Sequence, residues 1–334
     1  MLNIALVGYG YWGRNLARNF YNYSGCRLHT IVERDASQLS GVTRNFPDVR
    51  LISEASTAFT DSEIDAIAIA TPPSTHYSLA KEALLAGKHV LVEKPMTTLV
   101  SQSLELIDIA LKKNLTLMPD HTFLYTGAVQ KIKALISSGE IGNINYVDSI
   151  RINLGLFQND VNVLWDLAAH DISICDYLLS LFPISVQANG ISHPRNGIEN
   201  IAYLTLKYEG DLIAHFNCSW SSPVKIRQML LGGDKKMILY NDMEPTEKVK
   251  IYDSGYSISP QEKSRVLIDY RTGDIFVPKV PLSEALTEMA KDFVNSIETG
   301  RLPLSNYKTG LNVVKVLEAS EQSIKNNGKE IILK

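Results

Sequence analysis

The sequence predicts an α/β protein: an N-terminal doubly wound parallel sheet, then an α+β domain built on a large, mostly antiparallel open sheet. Three observations carry this. An unbroken apolar run, Ile4 to Val7, leads straight into three closely spaced glycines. Strand-like and helix-like stretches then alternate as far as Met118. Beyond Pro119 the pattern changes to period-two runs separated by turn pairs such as Glu209-Gly210 and Gly232-Gly233. At 334 residues the chain exceeds one average domain, and the change of pattern divides it into residues 1–118 and 119–334.

The first strand must be buried on both faces, because nothing in Ile4–Val7 alternates. Gly8, Gly10 and Gly13 fit G-x-G-x-x-G: a tight turn, close approach of backbone to a pyrophosphate, and close packing of helix on strand. The helix expected over Tyr11–Tyr23 aims its unpaired N–H groups at that site, so Tyr11 and Trp12 join the glycines as candidate cofactor contacts. A second strand, Arg27 to Val32, ends in Glu33, which lies at the distance past the last glycine that a Rossmann dinucleotide site requires. A carboxylate there accepts from ribose hydroxyls and repels a 2′-phosphate, which favours NAD; the neighbouring Arg34 is the kind of residue that would admit NADP.

The alternation continues with a helix over Asp35–Asn45 and a buried strand over Asp65–Ala70. Thr71-Pro72-Pro73 then forces a turn at the carboxyl edge of the sheet, where ligands bind in this architecture. Ser74 or Thr75 caps a helix over His76–Ala86, stopped by Gly87. His76, in its first turn, is placed either to meet the cofactor or to hydrogen-bond locally. The next strand, His89 to Val92, ends in Glu93-Lys94-Pro95, which sets a lysine over the crevice where nicotinamide would lie. Ser101–Lys113 and Leu115–Met118 complete the unit as helix and strand.

Composition narrows the partners. A net charge of −3 offers no electrostatic reason for nucleic acid or an anionic membrane. Cys26, Cys175 and Cys218 are odd in number and far apart, which reads as buried thiols in a reducing compartment. The seven histidines form no ligand-spaced cluster, so no metal is expected. No apolar run is long enough to span a membrane, and the apolar start carries the glycine loop in place of a basic leader; a cytoplasmic protein is expected.

In the second half, a helix over Gly127–Ser138 precedes runs at Ile144–Leu154, Ser185–Gly190, Ile201–Tyr208, Leu212–Trp220, Lys225–Leu231 and Lys248–Tyr252. Leu282–Glu298 and Tyr307–Asn326 read as closing helices. Within Trp165-Asp166-Leu167-Ala168-Ala169-His170-Asp171, a helix would put Asp166 and His170 on one face, with Asp171 turned away. Imidazole titrates near working pH and a carboxylate four residues off can orient it. Arg151 and Asn153 share a strand face and, with Tyr125 and Asn162, are candidate substrate contacts.

TPPSTHYSLAKEALLAGKHVLVEKP, together with the GYGYWG loop, resembles the glucose-fructose oxidoreductase / inositol dehydrogenase / rhizopine catabolism (Gfo/Idh/MocA) family. SSGEIGNI at 137–144 and the C-terminal RLPLSNYKTGLNVVKVLEAS extend the likeness over nearly the whole chain. The resemblance implies an NAD(P)-dependent oxidoreductase in which Lys94, Asp166 and His170 surround the reacting carbon, and a homodimer or homotetramer formed through the open sheet. Where the family often has an arginine-tyrosine pair, this chain has Thr122-Phe123-Leu124-Tyr125. The run Asn162–Leu167 resembles the branch acting on nucleotide-linked sugars, which implies oxidation of a UDP-N-acetylhexosamine at C3 in surface polysaccharide synthesis. Free sugar or inositol dehydrogenases, NAD-dependent glycosidases and cofactor-sensing regulators of the same fold are the alternatives.

Overall fold

A computed structural model of the chain describes residues 1–155, 157–158, 160–259 and 267–333, without the side chains of 257–259 and 267–269. Two compact units divide it, Met1–Thr126 with Ser283–Glu318, and Gly127–Leu282 with Ala319–Lys334.

The first unit alternates strand and helix: β1 (Leu2–Val7), α1 (Tyr11–Asn22), β2 (Cys26–Val32), α2 (Val42–Asn45), β3 (Arg50–Ile52), α3 (Ala55–Thr60), β4 (Ala66–Ile69), α4 (Pro73–Leu85), β5 (His89–Glu93), α5 (Val100–Lys112) and β6 (Leu117–Asp120). Every pairing is parallel and the order is β3-β2-β1-β4-β5-β6, the doubly wound arrangement expected. Ala66–Ile69 and Ile4–Val7 are buried throughout, as strands covered on both faces must be.

Three local expectations are corrected. The helix over 35–45 is broken into a 3-10 turn, Ala36–Leu39, and the short α2, because Gly41 takes the left-handed conformation between them. Helix α4 starts at Pro73 instead of His76: proline's missing N–H costs nothing in a first turn, and no side chain caps the end. Pro119 and Asp120 belong to the last strand, since an edge strand tolerates a residue that cannot donate.

The second unit begins with α6 (Gly127–Ser137) and β7 (Ile144–Leu154), followed by a π-helical turn, Leu164–Ala168, that runs into α7 (Ala169–Leu179). Strands β8 (Ser185–Ile191), β9 (Ile201–Lys207), β10 (Ile213–Ser219), β11 (Ser221–Gly233), β12 (Met237–Asn241), β13 (Val249–Ser259) and β14 (Leu267–Phe276) follow. They form a nine-stranded sheet, β14-β13-β12-β11-β7-β10-β9-β8-β15, with β15 at Ile331–Ile332. Its pairings are antiparallel except β10 with β7. One face is dry, with Val147, Leu204, Phe216 and Ile238 buried; the alternate positions Tyr146, Tyr203, Ile213 and Leu230 are exposed.

The boundary expected at 118/119 lies at 126/127, and the chain returns to the first unit through Ser283–Glu318. That segment holds α8 (Ala285–Thr299) and most of α9 (Tyr307–Lys325). Apolar and polar contacts tie it down. Phe293 packs edge-on against Phe20 at 6.4 Å, and the Thr287 hydroxyl donates to Asn19 Oδ1 at 2.6 Å. Glu318 accepts from the Val100 N–H at 2.6 Å. A surface pattern cannot announce such a return, because each helix buries the same kind of face wherever it docks. No helix among the described residues is long and apolar enough to cross a membrane.

Candidate functional site

In the first unit the glycine loop has the three properties its spacing called for. Gly8 sits at φ +92, and a Cβ there would press on the Ala70 carbonyl at 2.7 Å. A Cβ on Gly13 would collide with the carbonyl oxygen of Gly8, so the helix lies directly on the loop. Gly10 is different: a Cβ there meets nothing within 4 Å. Open space therefore lies over the N-terminus of α1, whose first N–H groups have no side-chain cap, which is the provision a pyrophosphate needs. Tyr11 and Trp12 stand exposed at this end, edge to face at 5.3 Å.

Glu33, at the end of β2, accepts from the Tyr9 N–H at 2.7 Å and the Asp35 N–H at 2.9 Å. Each carboxylate oxygen keeps a lone pair for a ribose hydroxyl, and the half-buried side chain is held against the loop. Arg34 is exposed. The residues present thus fit a bound dinucleotide.

Thr71, Pro72 and His76 form a structural knot. His76 is fully buried, its Nδ1 lying 2.7 Å from the Pro95 carbonyl and its Nε2 2.8 Å from that of Thr71. The imidazole therefore joins the Thr71-Pro72 turn to the Glu93-Lys94-Pro95 loop. The expectation that it meets cofactor gives way to this tie, because its ring is spent inside the protein. Thr71 also shares a hydrogen bond with Thr75, and Pro72 is exposed.

Lys94 is half-buried at the carboxyl end of β5. Glu93, expected among cofactor contacts, is instead buried beside Asp120, which it faces across the ladder to β6. Burial, and then the charge of Asp120, raise the Glu93 carboxyl well above the usual carboxylate range; burial raises Asp120 too. His121 is pushed down to about 3 by burial and by the charge of Lys94, so its ring is neutral. Tyr125, expected to touch substrate, is an internal pin: its hydroxyl donates to Asp292 at 2.6 Å and accepts from the Ser305 N–H at 3.1 Å.

In the second unit, Asp166 lies in the π turn, where the Ala169 N–H reaches back to the Leu164 carbonyl. This wider turn stands where a regular α-helix would set Asp166 and His170 on one face, and it is a local insertion of the kind often found at functional sites. Among residues 161–170 only Asp166 and His170 escape burial. The indole Nε1 of Trp220 donates to Asp166 Oδ2 at 2.9 Å, and Phe157 packs on that indole at 5.6 Å.

The expected substrate contacts nearby have other employment. Arg151 is buried and binds Asp171 with Nε at 3.0 Å and Nη2 at 2.6 Å, while Ser149 donates to the same carboxylate. Asn162 caps the π turn: its Oδ1 accepts from the Leu164 N–H at 3.1 Å and its Nδ2 donates to Glu199 at 2.8 Å. Asn153 is half-buried on the face that carries Arg151. Asp120, His121 and Trp220 escaped the sequence reading. The pairing of two strand ends could have suggested Asp120; nothing local marks Trp220, which lies 54 residues from its partner.

The NAD-binding Rossmann-fold model of the Gfo/Idh/MocA oxidoreductase family matches residues 2–121, and the family's C-terminal domain matches residues 129–239. The chain belongs to the Gfo/Idh/MocA family. Among its relatives, the scyllo-inositol 2-dehydrogenase (NADP(+)) IolW of Bacillus subtilis is 26% identical over 97% of this chain and 94% of its own. The UDP-N-acetylglucosamine 3-dehydrogenase of Acidithiobacillus ferrooxidans is 28% identical over 57% of this chain and 58% of its own. A solved structure of that enzyme, GnnA, superposes with a TM-score of 0.78 at 22% identity, covering 97% of this chain and 99% of its own. An Agrobacterium radiobacter oxidoreductase in complex with NAD+, L-tartaric acid and magnesium superposes with a TM-score of 0.83 at 17% identity, covering 99% of this chain and 98% of its own. At these identities the likeness to the solved structures is one of fold. This Gfo/Idh/MocA chain is therefore an oxidoreductase-family protein with an NAD(P)-binding Rossmann unit.

Proposed function

We propose that the protein is an NAD-dependent dehydrogenase that moves a hydride between nicotinamide and a secondary hydroxyl of a sugar, with a UDP-N-acetylhexosamine oxidised at C3 as the leading substrate. The observation that carries the reading is Lys94, half-buried at the carboxyl end of β5, on the edge where ligands of a doubly wound sheet bind. NAD is favoured over NADP by Glu33, whose carboxylate would accept from an unsubstituted ribose and repel a 2′-phosphate.

Bound NAD would supply the hydride acceptor. The chain's own residues have to manage the alcohol proton and hold the sugar. Lys94 and His170 are the two groups able to take that proton, and Asp166, steadied by the indole of Trp220, orients a hydroxyl or the imidazole. The nucleotide-sugar reading is supported by the likeness of Asn162–Leu167 to that branch and by the Acidithiobacillus relative. A free polyol is the second reading, favoured by the longer match to the inositol enzyme.

Incubation with NAD and with NADP, against a panel of UDP-sugars, free hexoses and inositols, tests both. Turnover of a UDP-N-acetylhexosamine with NAD is expected; turnover confined to unactivated sugars transfers the proposal to polyols. Lys94→Ala and His170→Ala are expected to lower kcat by about a hundredfold or more while NAD still binds. Loss of folding in both would overturn their chemical role.

The apolar side chains on the open face of the nine-stranded sheet, Tyr146, Tyr203, Ile213 and Leu230, support association of two or four copies through that face. Light scattering of Tyr203→Lys against the parent checks it, the variant being expected to dissociate.

A further inference from the structure

The carboxyl ends of β5 and β6 hold two acids that neither ribose nor phosphate recognition accounts for. Parallel register sets Glu93 opposite Asp120, and both side chains are buried. The hydroxyl of Thr122 donates to Asp120 Oδ1. Asp120 Oδ2 is buried with no donor among the described residues, and its neighbour is another acid. Two ionised carboxylates cannot share so dry a site. One proton between them turns the second acid into the donor that the bare oxygen lacks, as in other carboxyl pairs held side by side.

The groups facing the pair set its charge. Lys94 follows Glu93 in the chain and acts on both carboxyls. His121 follows Asp120 and is neutral. From the next elements come the phenol of Tyr125 and, beyond it, Asp292, which Arg301 already neutralises. Lys94 is thus the cation next to the pair. Two negative charges would be unsupportable there, and a single proton is enough to supply the donor that Asp120 Oδ2 lacks.

We propose that Glu93 and Asp120 share a single proton and present one net negative charge to Lys94, acting as the positioning pair for that lysine. The link to turnover rests on the dehydrogenase reading; the shared proton does not.

Infrared difference spectroscopy of the full chain, without substrate or cofactor at neutral pH, tests the shared proton. The parent should show the C=O stretch of a protonated carboxyl, shifted in deuterium oxide, and both Glu93→Gln and Asp120→Asn should abolish it, because the acid left behind ionises against Lys94. Absence of the band in the parent, or its survival in both variants, overturns the proposal. In steady-state assays the double variant Glu93→Gln/Asp120→Asn should lose about tenfold or more in kcat/KM beyond either single variant. A double variant no worse than the singles overturns the positioning role. Failure of the parent to turn over any sugar counts against the dehydrogenase reading and leaves the carboxyl band to decide the shared proton.

Discussion

The parallel sheet and the nine-stranded sheet fix their important side chains by different means. Around the first, the partners are mostly backbone: Glu33 takes the N–H groups of Tyr9 and Asp35, and His76 meets the carbonyls of Thr71 and Pro95. Around the second, they are mostly other side chains: Arg151 with Asp171, Asp166 with Trp220, Asn162 with Glu199. A backbone partner is present whatever the sequence, so a motif in the right strand-turn-helix context is enough to find its place. A side-chain partner has to be supplied from elsewhere in the chain, and its removal strands the other member in a dry site.

That contrast decides what could be read in advance. The glycine loop, Glu33 and the Thr71-Pro72 turn were legible because a few adjacent residues dictate their geometry. The partners of Arg151 and Asn162 are not legible in the sequence, because nothing adjacent reveals that Asp171 and Glu199 engage them. The π turn was missed for a related reason: spacing alone cannot distinguish it from an α turn, and Asn162 stabilises it from outside. Glu93 shows the same rule inside the first unit, since its partner is a side chain on the next strand.

The sharpest way to break the comparison is at the ion pair. Arg151→Met leaves Asp171 charged and buried, with 5% of its side chain exposed, and is expected to cost about 3–5 kcal/mol in urea unfolding. The double variant Arg151→Met/Asp171→Leu removes both charges and should recover most of that loss. If the single variant unfolds like the parent, the pair is not the anchor it is taken for, and the contrast between the two sheets weakens.

The glycine loop sharpens it from the other side, where the obstacle is backbone. Gly13→Ala must displace the Gly8 carbonyl, at an expected cost of about 1–3 kcal/mol in stability. Gly10→Ala, whose Cβ meets nothing, should leave the unfolding midpoint nearly unchanged while weakening NAD. Thermal unfolding and cofactor titration separate these outcomes. Equal loss of stability in both would mean that the space above Gly10 is not the ligand's.

The last expected effect is a slope. His121 is buried with neither ring nitrogen hydrogen-bonded among the described residues, and burial first, then the charge of Lys94, push it from 6.5 to about 3 in the folded chain. Folding therefore excludes a proton that the unfolded chain takes up. The stability this represents is complete above 6.5 and is lost as pH falls toward 3, at about 1.4 kcal/mol per pH unit. Glu93 works in the opposite sense: with its folded value raised, its contribution is complete at acid pH and fades as pH rises through that value. Only the difference between the parent and His121→Leu isolates the imidazole. Unfolding midpoints from pH 7.5 to about 4.5 should fall more steeply for the parent than for the variant. Parallel slopes would mean that water reaches the ring, and that the dry pocket beside Lys94 is wetter than its geometry implies.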